Sequence, residues 1–162
     1  MVGAMSDDVS DIDFLVRSGM LAHFTISGIA PDIHKSNPYA LARWRHAVEI
    51  HDKIINPMIY DCSVYHHTPF QNYKEWGDWV VLEYVSKDKS TAIASFFRLQ
   101  GESRVVFPFV SKGLSAGKRY EVTFDNTGET AVIDGVSLIS SGLNVRVPGK
   151  MMSELLILKE CK

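Results

Sequence analysis

Cysteine is nearly missing from this sequence: Cys62 and Cys161 are the only two in 162 residues. Cys161 occupies the next-to-last position, where a bridge would anchor little, so a disulfide framework is excluded as the source of stability and a reducing compartment is the simpler reading. Charge of one sign is also lacking. The 17 basic and 19 acidic residues nearly cancel and form no block of like charge, which excludes a surface built for phosphate backbones or anionic lipid; neither nucleic acid nor a membrane is expected as a partner. Long hydrophobic runs are absent too. The apolar opening Met1-Val2-Gly3-Ala4-Met5 is stopped by Asp7, Asp8 and Asp11, so it is neither a signal-peptide core nor a membrane span. With no export signal expected, the location is read as cytoplasmic or left unassigned. Repeats, low-complexity stretches and long linkers do not occur. What remains is 46% hydrophobic, enough to bury the core of one domain, or of one domain and part of another.

The first third has an α/β texture. Residues 2–5 read as the end of a buried parallel strand, which needs neighbours on both sides. Residues 10–18 fit a short helix with Ser10 as N-cap and Gly19 as a stop, residues 20–26 a second buried strand, and Ser27-Gly28-Ile29-Ala30-Pro31-Asp32 a loop. A longer helix follows, with Asn37 as N-cap, Pro38 at its first position and Pro57 at its end. Leu41, Trp44, Val48, Ile55 and Met58 would form its apolar face, while Arg43, Arg45, Glu49 and Lys53 face water.

After Asp61 the texture becomes all-β: short runs of aromatic and β-branched residues punctuated by Gly, Asn and Asp. Strands are expected near residues 79–85, 91–99, 103–107, 119–125, 131–133, 144–147 and 153–158. Turns are expected at Ser86-Lys87-Asp88-Lys89 and Asp125-Asn126-Thr127-Gly128. Tyr120, Val122 and Phe124 alternate with Glu121, Thr123 and Asp125, giving one dry and one wet face. Seven such strands point to a sandwich.

Few motifs carry chemistry. Gly113-Leu114-Ser115-Ala116-Gly117 matches the serine-hydrolase elbow in letters, but that elbow needs a helix after it and a strand follows here, so a tight turn is the better reading. His66 and His67 are adjacent and point to opposite faces, His46 and His51 are five apart on a helix, and His23 and His34 lack ligand-spaced partners; no metal or other cofactor is expected. The acidic group Asp7, Asp8, Asp11 and Asp13 is the most suggestive, because carboxylates at the C-terminal mouth of barrel strands are where glycosidases keep their acid and nucleophile. Asp11 and Asp13 fall in a helix's first turn and are assigned to its dipole. Asp7 and Asp8 remain pocket candidates. Tyr65, Tyr73, Trp76 and Trp79 have rings suited to stacking on sugars, though core packing is the usual use of such residues.

Several segments taken together resemble one family. The run Trp79-Val80-Val81-Leu82-Glu83-Tyr84-Val85-Ser86-Lys87-Asp88, then Phe96-Phe97-Arg98-Leu99, then Gly113-Leu114 with Tyr120, and Ser153-Glu154-Leu155-Leu156 are similar, in order, to the C-terminal sandwich of melibiase-like α-galactosidases, glycoside hydrolase family 36. Gly3-Ala4-Met5, Arg17 and the stretch from Ala22 to Gly28 resemble that family's seventh and eighth barrel strands, with Met5 in place of a histidine and Thr25 in place of a glycine. The resemblance implies an α+β chain: residues 1–67 as the last strands and helices of a (β/α)8 barrel, residues 68–162 as an all-β antiparallel sandwich. It implies that the sandwich supports a catalytic barrel whose intact form takes an α-galactoside-type sugar, and that the partner of this chain is the N-terminal barrel region or a second copy. In the family, one aspartate on barrel strand four is the nucleophile and another near strand six is the acid/base. With residues 1–5 as strand seven, neither lies in this chain. An alternative alignment makes Asp7 the acid/base, and still leaves the nucleophile out. Asp7, Asp8, Ser27 and Gly28 are the candidate substrate-binding residues, and the chain alone is expected to be inactive. The competing reading is a stand-alone β-sandwich that binds carbohydrate or serves as a structural interaction module.

Overall fold

The computed structural model describes residues 12–21, 24, 32–69, 77–99 and 104–161. Among these residues eight strands form two sheets. The larger has the order β1-β2-β3-β8-β5-β6, and β4 pairs with β7 to make the smaller one. The strands are β1 Ser63–His66, β2 Trp79–Val85, β3 Thr91–Arg98, β4 Val106–Phe109, β5 Arg119–Phe124, β6 Thr130–Asp134, β7 Leu143–Arg146 and β8 Met152–Glu160. Every pairing among the described residues is antiparallel. The helices are α1 Ile12–Met20, α2 Ile33–Ser36, α3 Pro38–Ile50 and α4 Gly135–Ser140, with one wide π turn, His51–Ile55, continuing α3.

Burial shows why the central strands read as continuous apolar runs. Residues 92–98 of β3 and 153–158 of β8 are buried without alternation, because both faces of the sheet are covered. On one face Ala92, Ala94, Phe96, Leu156 and Leu158 meet Phe109 of β4, Val145 of β7 and Leu138 of α4. Phe96 lies edge-on to Phe109 at 5.3 Å between ring centroids, a geometry favoured by the ring quadrupoles. On the other face Ile93, Leu155 and Ile157 meet Ile12, Val16 and Met20 of α1 and Trp44, Ala47 and Ile50 of α3. Phe14 of α1 adds an edge-on contact with Phe97 at 5.3 Å. The molecule is therefore three layers: a two-stranded sheet, a six-stranded sheet and a helical layer.

Most expected strands stand within one or two residues. β4 lies further along than expected, because Phe107 and Phe109 are the residues that reach the core. β1 and α4 were not anticipated. Met20 does not begin a strand: α1 runs through Gly19 to Met20, which is fully buried, and that burial offsets the ~1 kcal/mol that glycine costs inside a helix. The rest of the stretch 20–26 and the strand at 2–5 fall mainly outside the described residues. Asn37 caps α3 as expected, its Oδ1 accepting the Ala40 N–H at 2.9 Å. The apolar stripe of α3 is rotated by one position from the expected one: Ala40, Trp44, Ala47 and Ile50 are buried and Leu41 and Val48 only half-buried. Two alanines on the stripe, Ala40 and Ala47, belong to the core that α1, α3 and the sheet share, and an average of hydrophobicity undervalues them.

Candidate functional site

The pocket candidates Asp7, Asp8, Ser27 and Gly28, together with Asp11, lie outside the described residues, as do His23, Tyr73 and Trp76. The other candidates are placed. Trp79 is buried against Phe107, ring centroids 5.5 Å apart, and Tyr65 is half-buried beside the same core. No helix follows Gly117; Lys118 leads directly into β5, and the Ser115 N–H donates to Tyr120 Oη at 3.1 Å. Among the described residues no group of three His, Cys, Asp or Glu is arranged to hold a metal ion, and no helix is long and apolar enough to cross a membrane.

Two buried polar clusters organise the fold. The first joins the helical layer to the sheet at Asp125, in the turn after β5. This residue is not on a wet face, as its alternation implied: its side chain is 5% exposed. Arg17 from α1 forms an ion pair with Asp125 Oδ2 and donates to Ser153 O at 2.9 Å and Ser153 Oγ at 3.1 Å. From α3, Arg43 reaches Asp125 Oδ2 at 3.3 Å and Asp13 Oδ1 at 2.6 Å, and His46 Nε2 lies 2.5 Å from Asp125 Oδ1. Arg43 thus faces the cluster rather than water. Burial pushes the Asp125 carboxyl up, but the adjacent Arg17 charge and the hydrogen bonds from His46 and Arg17 outweigh it and hold the carboxyl below its ordinary range. Next to it, Glu154 is dominated by burial and sits above the ordinary range, although its Oε1 accepts the N–H groups of Asn126 at 3.0 Å and Leu155 at 2.8 Å. The cavity beside Arg17, Arg43 and Asp125 holds only about 10 Å³. That is the space of roughly one water, so no sugar enters. The cluster is a clamp, not a reaction centre.

The second cluster lies inside the sandwich. Glu83 of β2 is fully buried, with Oε2 at 2.8 Å from His67 Nε2 and 2.9 Å from the Lys112 N–H, while Ser111 Oγ donates to its Oε1. Burial raises this carboxyl, and the three hydrogen bonds together bring it below its ordinary range. A serine, a histidine and a carboxylate are present here, but the carboxylate sits between the other two, whereas nucleophilic catalysis requires the histidine in the middle. The effect is to tie the loop after β4 to the sheet.

The sequence motifs that carried the family resemblance acquire roles. In the β2–β3 turn, Asp88 Oδ1 accepts Ser86 Oγ at 2.7 Å, the Ser90 N–H at 3.0 Å and Ser90 Oγ at 2.8 Å, which brings its carboxyl down to about 2. Arg98, buried at the end of β3, donates to Pro148 O at 2.6 Å and fastens one sheet to the segment leaving the other. Tyr120 Oη donates to Lys89 O at 2.8 Å and so joins the loop at Gly113 to that turn. Residues 79–158 match the family model described as the glycosyl hydrolase family 36 C-terminal domain. No curated protein matches the sequence.

Solved α-galactosidase structures, several of them of family 36, share the fold. The α-galactosidase from Lactobacillus brevis superposes with a TM-score of 0.71 at 17% identity, covering 99% of this chain and 22% of that one. A variant of α-galactosidase AgaA from Geobacillus stearothermophilus in complex with stachyose gives 0.66 at 15%, covering 98% and 21%. AgaB from the same organism gives 0.66 at 16%, covering 98% and 20%. This chain therefore spans about a fifth of the length of these proteins.

Proposed function

We propose that the chain is the C-terminal part of an α-galactosidase-like glycoside hydrolase, with the elements of residues 1–67 that precede β1 supplying the last part of a (β/α)8 barrel, and residues 68–162 together with β1, which pairs with β2, forming the sandwich that supports it. The observation that carries this reading is the helical layer. Helices α1 and α3 bury Ile93, Leu155 and Ile157 of the sheet and are clamped to it through Asp125. A free sandwich would present a polar outer face instead. The family 36 match of the sheet and the coverage of the whole chain by α-galactosidase structures support the same reading. In the intact protein the barrel would take an α-galactoside-type sugar, and the sandwich would hold the barrel's last helices in register.

Retaining glycosidases need two carboxyls about 5 Å apart. On this reading the nucleophile lies on a barrel strand upstream of residue 1. The purified chain is therefore expected to show no turnover of an aryl α-galactoside. Turnover abolished by Asp7→Asn would place catalytic chemistry in this chain and overturn the proposal.

A further inference from the structure

A cleft unrelated to the clamp runs beside the β2–β3 turn, with a volume of about 380 Å³, within the range of small-molecule sites (~300–1,000 Å³). One wall is the turn entering β1, with Tyr60, Asp61 and Ser63; the other is the β2–β3 turn, with Lys87 and Lys89; Tyr65 and Gly113 line it as well. Tyr60 is 94% exposed, the most exposed of the large hydrophobic side chains among the described residues. A side chain this exposed contributes little to the core, so its ring is available to a ligand. The same cleft carries hydrogen-bonding groups as well as apolar ones: Asp61 Oδ2 and Lys87 Nζ stand 3.3 Å apart across it.

The cleft is held in shape. A Cβ on Gly113 would come within 2.5 Å of Tyr65 Cε2 and of Val85 Cγ2, so only glycine lets the Tyr65 ring lie where it does. The opposite wall contains Lys89 at φ +58, a conformation that side-chain-bearing residues adopt at a cost and that the surroundings must enforce. Here Asp88 fixes the turn from within, while Tyr120 Oη and Lys118 Nζ each donate, at 2.8 Å, to the Lys89 and Asp88 carbonyls from beneath.

We infer that this cleft is a binding site for a neutral saccharide, stacked on Tyr60 and Tyr65 and hydrogen-bonded by Asp61, Ser63 and Lys87. Flat apolar rings flanked by charged groups of both signs match a pyranose, which presents a C–H face and a rim of hydroxyls. An anion is disfavoured because the two lysines of the cleft are offset by two carboxylates, Asp61 paired with Lys87 and Asp88 standing between Lys87 and Lys89 in the same turn. The site lies wholly on the described residues and does not depend on the proposed role of the chain.

Calorimetric titration of the full chain with raffinose and with maltotriose tests it, in 50 mM and 500 mM salt. At least one sugar is expected to bind with little dependence on salt, since no net charge is neutralised. Tyr60→Ala should weaken that binding about tenfold or more while Tyr60→Phe retains it, and thermal unfolding should be unchanged in both because the ring is exposed. Absence of binding by both sugars, binding indifferent to Tyr60→Ala, or binding lost in high salt and displaced by inorganic phosphate would each overturn the inference.

Discussion

Asp125 and Arg17 pair through side chains that are almost fully buried, and Arg43 and His46 join them from the more exposed side. Removing one member of such a buried pair leaves the other charge uncompensated, at a cost of about 3–5 kcal/mol, whereas an exposed pair contributes ~0–1 kcal/mol. Asp125→Ala is thus expected to shift the denaturant midpoint strongly, and Lys53→Ala, which breaks only the solvent-exposed bridge to Glu49, hardly at all. Equal shifts would rule out the clamp. The pH dependence has a definite sign. Asp125 and Glu83 have folded pKa values below the unfolded ones, so the stability they contribute is in place above about pH 4 and is lost as pH falls through the lowered values. Glu154 is raised and acts in the opposite sense, costing stability as pH rises through its folded pKa. Thermal melts between pH 2 and 7 should show a steep acid limb for the parent chain and a shallower one for Asp125→Asn.

At the scale of elements, the sandwich strands were legible in the sequence because their flanking turns are local chemistry. Ser86, Asp88 and Ser90 close one turn among themselves, and Gly128 closes another at φ +72. α4 was not legible: Gly135-Val136-Ser137-Leu138-Ile139-Ser140 has strand-like composition, and the helix is tied to packing of Leu138 and Ile139 against the core, which the local pattern does not show. The clamp was missed for a related reason. Strand alternation places Asp125 outward, but it lies one residue beyond β5, where the period-two rule no longer applies. A buried acidic residue at a turn, with arginines about a hundred positions away, leaves no signal in the local pattern. Within β5 the rule does hold for Tyr120 and Val122, both fully buried, while Phe124 is half-buried. In β8, Leu156→Ala should cost about 2–5 kcal/mol, and Thr123→Ala, on a partly exposed position, well under 1 kcal/mol. Urea titrations of the two variants check this, and similar losses would mean the register of β5 on β8 is wrong.

For the whole molecule, the decisive property is that the sheet is dry on both sides. A chain shortened to begin at Ser63 keeps every described strand but uncovers Ile93, Leu155 and Ile157, a contiguous apolar surface of the kind that soluble domains cover. Such a chain is expected to self-associate at micromolar concentration, and the full chain to do so less. Light scattering on both decides it; a monomeric, well-behaved short form would show that the helical layer is dispensable.

The position of β8 bears on how the molecule is made. It is the last described strand in the chain, yet it sits in the middle of the large sheet, between β3 and β5. Until it arrives, β1-β2-β3 and β5-β6 are separate ribbons with no edge in common, and the helices lack Leu155 and Ile157 to pack against. Folding thus waits on its most distant contacts, the circumstance that makes β topologies slow. Pulse-labelled hydrogen exchange during refolding should find the β2–β3 and β5–β6 amides gaining protection in one common phase. Early protection of either ribbon alone would show that assembly does not hinge on the central strand.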